Sequence, residues 1–525
     1  MYVYWYFCNA PFLAVVWGVG LVAMEVFQKK AVFSDGTSLI HINPTSMRED
    51  RSEMPSAGWQ ILSGLILVLI IGGLSFLAWR YLPDWLNRGK TETVTSPSTE
   101  PASPIPANAT AVRIHGSNTL AARLVPELVR SFLKQQGASQ LTEIRSDQQL
   151  TFRATLNGEA IAVTVKPTGS HQGFVDAQNK QADVVMASRP VANNEATDLK
   201  NAGLGDLRSN RVENVVAMDG VAVIVNSNTR IKELSKAQVA GIFKGEITNW
   251  SEVGYPAGNI NLYVRDAGAT VDLFKSEIYG SEEEAMSPNA RSFRDNEELI
   301  QSVAQDENGI GFTSWAATKG NAEVKSVALY TDATQPVMPN PSTIATEDYQ
   351  LSRRLYLYTP KSTDDKKQVL IDRFMAYIQT VKGQEAAQRA GFVPLDPQGV
   401  NNFTTTISDK YRASVRGGVR TNVVLRFKTG SSELDSKAVR DLERLRTEPR
   451  YAGKQFILIG FTDNVGSEPS NVALSLKRAQ SVQLLMQQSG LSVASVTGLG
   501  SSDPVRENTN ELYRAMNRRV DVWYR

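Results

Sequence analysis

The chain has 525 residues, too many for one ordinary core, and about one domain per 150 residues points to several domains. Acids and bases nearly cancel, leaving a formal net charge of +2, so no overall field directs the chain to nucleic acid. The single cysteine, Cys8, excludes an internal disulfide framework and a cysteine zinc site, and His41, His115 and His171 are too scattered for metal spacing, so no metal or cofactor is expected.

Residues 1–56 form an N-terminal region with one short apolar stretch, Pro11 to Met24, a candidate first membrane segment. The next segment, 57–82, holds an uncharged run from Trp59 to Trp79, long enough to cross a hydrocarbon core of about 30 Å. Trp59 at one end and Trp79, Arg80, Tyr81 and Trp85 at the other are the aromatic and basic anchors of an interface. A transmembrane helix is predicted there. If both stretches span, Lys29, Lys30, Arg48 and Arg51 lie in a short cytoplasmic loop and everything after Leu82 is outside. Residues 83–110, including "GKTETVTSPSTEPASPIPANAT", have almost nothing apolar to bury and read as an extended tether.

Within residues 111–395, short apolar runs such as "DVVMAS", "GVAVIVN" and "RRLYLYT" alternate with amphipathic stretches such as "AARLVPELVRSFLKQQG", the pattern of an α/β domain. Several small-residue turns run from a strand into a helix, where free N–H groups and the helix dipole favour anions. They are Ser117, Asn118 and Thr119 in "HGSNTLAARL", Ser170 in "PTGSHQGFVDA", Ser188 and Arg189 in "VVMASRPV", and Arg265, Gly268, Ala269 and Thr270 in "YVRDAGATVDLF". Each alone also reads as a plain helix cap. Their recurrence in one domain favours an oxyanion site. Ser170 beside His171 does not make a nucleophile, since "TGSHQG" is no nucleophile elbow, and no enzyme activity is expected.

The segments "KAQVAGIFKGEITNWSEVG", "DGVAVIVNSNT", "SVAQDENGIGFTSW", "LSRRLYLYTP" and "GQEAAQRAGFVPL" resemble, in family order, the phosphate-binding proteins of Pst-type transporters, which belong to the type II periplasmic binding superfamily. The resemblance implies two α/β lobes joined by hinge strands near "GVAVIVN" and "RRLYLY", closing on inorganic phosphate or a similar oxyanion. It assigns contacts to Ser117, Asn118, Thr119, Ser170, Ser188, Arg189, Arg265, Gly268, Ala269 and Thr270, with Arg265 supplying a charge-assisted contact. "RDAGAT" lacks the serine usual after the arginine and is one residue short; Asp266 within it reads as a turn residue or a secondary acceptor.

Residues 396–420 read as a second linker, and 421–525 as a small α/β unit, with "NVVLRF" and "QFILIG" as strands. In the helix "SEPSNVALSLKRAQSVQLLMQQSG", Ala473, Leu474, Ala479, Val482 and Leu485 mark the expected apolar face. "FTDNVGS", "NVALSLKRAQSV" and "AMNRRVDVWY" resemble the OmpA C-terminal-like peptidoglycan-binding domain, with Phe461 where a histidine is usual. That resemblance implies that Asp463 and Arg478 clasp the diaminopimelate of a wall peptide, one charge for each of its charges, with Asn471 as cap and contact and Thr462 and Asn464 beside them. An ordinary surface ion pair is the competing reading. The expected fold is thus α/β: a two-lobed periplasmic-binding-protein domain plus a small OmpA-like domain, preceded by a transmembrane helix.

Both resemblances place the bulk of the chain in the periplasm, anchored in the inner membrane by a single span. The functional expectation is a receptor for an oxyanion, attached to peptidoglycan; the alternative is a structural wall tether whose binding fold has become an interaction module. Without a phosphate-binding loop or permease motif, transport would require an envelope protein partner. A stator subunit would need an ionisable group in its span, and Trp59 to Trp79 contains none.

Overall fold

The computed structural model describes residues 105–106, 108–146, 148–281, 283–400, 407–428 and 433–525. The expected span at 57–82 and the Pro11 to Met24 stretch lie outside these; among the described residues no helix is long and apolar enough to cross a membrane.

The binding-protein domain is built on a continuous sheet that serves two lobes. In the first lobe the order runs Ser139–Arg145, Leu150–Leu156, Glu159–Pro167, Thr110–Gly116, Val184–Ala187, then the strand Ser352–Tyr358 and the long strand Glu213–Asn226. In the second lobe the same long strand continues beside Gly309–Ser314, Asn261–Arg265 and Arg291–Phe293. Its first half, through Gly220, pairs antiparallel with Ser352–Tyr358, and from Val221 onward it pairs with Gly309–Ser314. These two central strands are the expected hinge strands. Their side chains are buried on both faces, which is why "NVVAMDGVAVIVN" reads as an apolar run without alternation.

Each lobe has its own packing. Phe132 from helix Val125–Gln135 meets Phe374 and Tyr377 of helix Asp365–Ile378 on the first lobe. Phe274 stacks on Phe312 at 3.9 Å in the second, with Phe243 edge-on to both. One backbone approach fixes the first lobe's ligand edge. Gly116, at φ 135°, lies where an added Cβ would stand 2.0 Å from the Met186 carbonyl oxygen.

The C-terminal domain has five strands in the order Gly399–Val400, Val419–Arg426, Arg519–Tyr524, Gln455–Gly460 and Ser492–Gly498. Two features differ from the sequence reading. The described part of the expected linker 396–420 is folded: helix Asp409–Ser414 buries Tyr411 against Phe461 and Trp523, and Asn422 donates to the Asp396 carbonyl. The long helix Glu468–Gln488 turns inward Asn471, Ser475, Ala479, Val482 and Met486, leaving Leu474 and Leu485 exposed. The cause is steric. Cβ atoms at Gly460 and Gly498 would lie 2.1 Å from the Ser475 carbonyl oxygen and 2.5 Å from the Leu476 nitrogen, so the helix sits against the sheet through small residues rather than leucines.

The two domains meet through buried charges. Arg426 pairs with Glu347 and Arg420 with Asp348, all four fully buried, and Arg354 pairs with Glu347 at 2.8 Å and with Asp435 at 2.7 Å. Burial alone would raise the Glu347 carboxyl, but Arg354 and Arg426 hold it below the usual carboxylate range. Arg506, 1% exposed, donates to the carbonyl oxygens of Glu347, Tyr349 and Gln350 at 2.8–3.2 Å.

Two outcomes follow from these contacts. Gly116→Ala forces the loop off the Met186 carbonyl and should lower stability by about 1–3 kcal/mol in urea unfolding. Asp396, at the domain junction, has its carboxyl pushed up to about 6, by burial first and Glu448 next, against the pull of Arg444. A raised carboxyl contributes stability fully present below its unfolded value of about 3.9 and lost as pH rises through about 6. Asp396→Asn should therefore raise Tm at pH 7.5, with the gain fading toward pH 4 in paired thermal melts.

Candidate functional site

The first lobe's parallel strands all end at the same edge, and the first three predicted turns lie along it. Gly116 closes Thr110–Gly116, and its carbonyl accepts from the N–H groups of Thr168 and Gly169, which ties the first two turns together. The Ser117 N–H donates to the Met186 carbonyl at 2.7 Å, which ties in the third. Ser170 and Ser188 hydroxyls lie 3.4 Å apart, and the Ser188 N–H donates to Ser170 Oγ at 3.2 Å. Ser117, Thr119, Ser170 and Ser188 are thus one constellation, with Asn118 exposed at its rim.

Two helix starts, one in each lobe, share a property. Helix Ser170–Gln178 begins at Gly169 and helix Ala269–Ile278 at Gly268, both at positive φ, and neither receives a side-chain cap; the turn after Thr119 receives none either. Other helices of the domain are capped by side chains, among them those of Ser235, Asp295, Asp364 and Thr380, while helix Asn193–Asn201 has Ala192 at its N-cap and no side-chain cap there. The starts at Gly169 and Gly268 therefore leave first-turn N–H donors without a side-chain acceptor. A Cβ at Gly268 or Gly169 would meet nothing within 4 Å, so the space in front of both helix starts is open. Within the first lobe, the Ser117 hydroxyl is buried with no partner, and the same holds for Thr168 Oγ1. Arrayed donors, unsatisfied hydroxyls and two positive helix ends can accept a compact oxyanion.

The second lobe contributes Arg265 at the end of strand Asn261–Arg265 and the Gly268, Ala269 and Thr270 turn. Arg265 Nη1 donates to Asn296 Oδ1 at 2.9 Å, which fixes one arm of the guanidinium. Asp266 is an exposed turn residue whose Oδ1 accepts from the Ala267 N–H at 2.8 Å. Arg189 is engaged elsewhere: Glu195 takes it at 2.7 and 2.8 Å, and its guanidinium lies over the Phe174 ring. Burial pushes the Glu195 carboxyl up, yet Arg189, the Ala192 N–H and His171 bring it down to about 2. His171 is thus turned to Glu195 and not to Ser170.

Sequence reading missed the residues beneath the cleft. Arg353, on the second hinge strand, pairs with Asp219 of the first at 2.7 Å and donates to Thr119 Oγ1 at 3.4 Å. Asp272, in the first turn of helix Ala269–Ile278, is pushed up by burial and drawn down by the Arg353 charge, so Arg353 acts on both lobes. The signal available was "MDGVAV" and "SRRLYLY", where a charge interrupts an otherwise apolar buried strand.

In the C-terminal domain Asp463 and Arg478 are neighbours, with an intruder between them. Arg518 Nη1 donates to Asp463 Oδ2 at 2.7 Å and Nη2 donates to Glu511 Oε1 at 2.6 Å. Arg478 lies over the Phe427 ring; its Nη1 is buried and unpartnered, and burial, then the nearby Arg518, lowers its affinity for its proton against the pull of Asp463. An unpaired guanidinium arm beside a carboxylate matches a ligand carrying both charges. Asn471 is buried, but Ser467 precedes the helix at the N-cap position, so the capping role expected of Asn471 is not seen. Thr462 Oγ1 is buried without a partner, and Asn464 is exposed. Phe461 lies wholly inside the core, 3.9 Å under the Arg519 guanidinium. Of the "NRR" residues, Arg519 is structural, paired with Asp521, while Arg518 reaches the site.

Residues 104–381 match the family described as PBP superfamily domain, and residues 426–518 match the OmpA family. The phosphate-binding protein PstS of Staphylococcus saprophyticus is 28% identical over 268 residues, covering 50% of this chain and 80% of that one. PstS of Staphylococcus epidermidis is 30% identical over 231 residues, covering 43% and 67%. A crystal structure of a possible phosphate binding protein from Planctomyces limnophilus is 24% identical, covers 55% of this chain and 93% of that one, and has a TM-score of 0.44.

A buried hydroxyl without a partner is a liability to the empty protein. Ser117→Ala should raise the ligand-free stability by about 1 kcal/mol in urea unfolding, the reverse of an ordinary hydrogen-bond deletion.

Proposed function

Because this chain belongs to the PBP superfamily and carries an OmpA family domain at its C-terminal end, we propose that it is a cell-envelope receptor that binds phosphate or a similar oxyanion and attaches to peptidoglycan. The observation that carries the oxyanion half is the set of uncapped helix starts at Gly169 and Gly268 beside the unpartnered Ser117 hydroxyl. Ser117, Thr119, Ser170 and Ser188 hold the anion from the first lobe. Arg265 and the Gly268, Ala269 and Thr270 turn close on it from the second. The relatives named for phosphate binding support phosphate as the first ligand to test. The shortened "RDAGAT" turn leaves that lobe without one of its hydroxyl donors, so the selectivity among oxyanions rests on Arg265 and backbone N–H groups.

In the wall half, Asp463 takes the ammonium of a diaminopimelate side chain, displacing Arg518, and Arg478 takes its carboxylate. The span expected at 57–82 holds the chain in the inner membrane with both domains in the periplasm. A second reading, a wall tether whose lobes only form an interaction surface, is favoured by the same missing serine.

Calorimetry of the full chain with inorganic phosphate tests the first half: saturable heat is expected, weakened about 10- to 100-fold by Arg265→Ala. Absence of heat with phosphate, sulfate and other oxyanions would leave the tether reading. For the wall half, Asp463→Ala should lower affinity for isolated sacculi in a sedimentation assay at least about 30-fold.

A further inference from the structure

The C-terminal domain touches both lobes as well as the hinge loop between them. On the first lobe, helix Ser436–Thr447 reaches the start of the first hinge strand. Ser436 Oγ donates to Glu213 Oε1 at 2.5 Å, and Arg440 donates to the Glu213 carbonyl at 3.0 Å and to Asn214 Oδ1 at 2.6 Å. At the hinge loop, Arg420, Arg426 and Arg506 take Asp348, Glu347 and the carbonyls around them. On the second lobe the contact is Tyr513, from helix Glu511–Asn517. Its hydroxyl donates to Glu277 Oε2 at 2.9 Å and accepts from Lys236 Nζ at 3.3 Å, and the Lys236 ammonium lies 5.0 Å from its ring centroid.

Rotation of one lobe against the other about the central strands moves Glu213 and Glu277 relative to each other. A rigid body attached near both resists that rotation. Both ends of the second-lobe contact also lie on elements of the candidate sites. Glu277 is in the last turn of helix Ala269–Ile278, whose first turn forms the second-lobe anion cradle. Tyr513 shares its short helix with Glu511, which holds Arg518, and Arg518 holds Asp463. Asp463, Arg518 and Glu511 are joined by ion pairs, Tyr513 and Glu277 by a hydrogen bond, and the short helix carrying Glu511 and Tyr513 connects the two sets.

The geometry points to the C-terminal domain as a brace across the hinge, which restricts lobe movement and links occupation of the Asp463 site to anion affinity. The brace follows from the contacts alone; the linkage rests on the proposed ligands of the two sites. A ligand ammonium at Asp463 competes with Arg518, frees Glu511 and loosens the helix that carries Tyr513. Differential affinity of this kind is the condition for coupling between sites, and it is reciprocal.

The brace is read by spin-label distances in the full chain carrying Cys8→Ser, Lys134→Cys and Glu307→Cys, the last two being exposed positions on the first and second lobes. A single narrow inter-lobe distribution is expected, broadened by Tyr513→Ala and largely restored by Tyr513→Phe, which keeps the ring against Lys236. Lys236→Met with Glu277→Gln removes the same contact without altering the C-terminal domain and should broaden it too. Distributions as narrow as the parent's in both variants would overturn the brace. The linkage is read by calorimetry with inorganic phosphate, with and without saturating meso-diaminopimelate: the phosphate Kd should change about five-fold or more in the parent and not in Tyr513→Ala. Both ligands binding with an unchanged Kd would overturn the linkage alone. No heat with either ligand would overturn the assignment of the sites and the linkage with it, while the distances still decide the brace.

Discussion

Glu347 and Asp348 sit fully buried in the loop that leads into the second hinge strand, and the arrangement of the two domains depends on how those two charges are met. An isolated ionised carboxylate in such a place is strongly disfavoured. Arg354 from the same domain serves Glu347, but Arg426, Arg420 and Arg506 come from the C-terminal domain. Buried ion pairs of this kind contribute little net stability against an apolar alternative, yet removing one partner is costly. Their effect here is on geometry: they allow one docking arrangement and penalise those that leave a charge behind.

That constraint changes what the stretch between the domains does. Composition around 396–420 suggests a loose connection, with polar residues and glycines and little to bury. Tyr411 lies instead among Phe461 and Trp523, and its hydroxyl donates to Asp521 at 2.7 Å, so the stretch belongs to the second core. The binding-protein domain and the OmpA-like domain are therefore packed as one compact unit. The anion-binding edge keeps its polar groups unsatisfied, with helix starts uncapped and a serine hydroxyl buried without a partner. At the domain junction, too, Asn210 Oδ1 and Gln350 Oε1 are buried without a partner.

Much of this was legible in the sequence, for identifiable reasons. The central strands announced themselves because burial on both faces removes alternation, and the turns holding Ser117, Ser170 and Gly268 because small residues between strand and helix have few other uses. Arg353 and Asp219 were not read, since a charge inside an apolar strand says only that a partner exists and not where. Leu474 and Leu485 were read as core because spacing is visible in a sequence and steric closeness is not; Gly460 and Gly498 decide that face from another part of the chain. Arg518 escaped for a related reason: its pairing with Asp463 crosses between elements far apart in sequence.

Arg420 and Arg426, which meet the hinge-loop carboxylates, and Arg506, which meets the loop carbonyls, all follow the two lobes in the chain. A chain made from its amino terminus completes both lobes before those arginines are available. Until Arg420 arrives, Asp348 has no partner from its own domain among the described ion pairs, and its carboxylate is left to water. Maturation of the two lobes is thus tied to synthesis of the domain that follows them. A product truncated before Arg420 would retain every predicted oxyanion contact and still lack the groups that meet the hinge-loop charges.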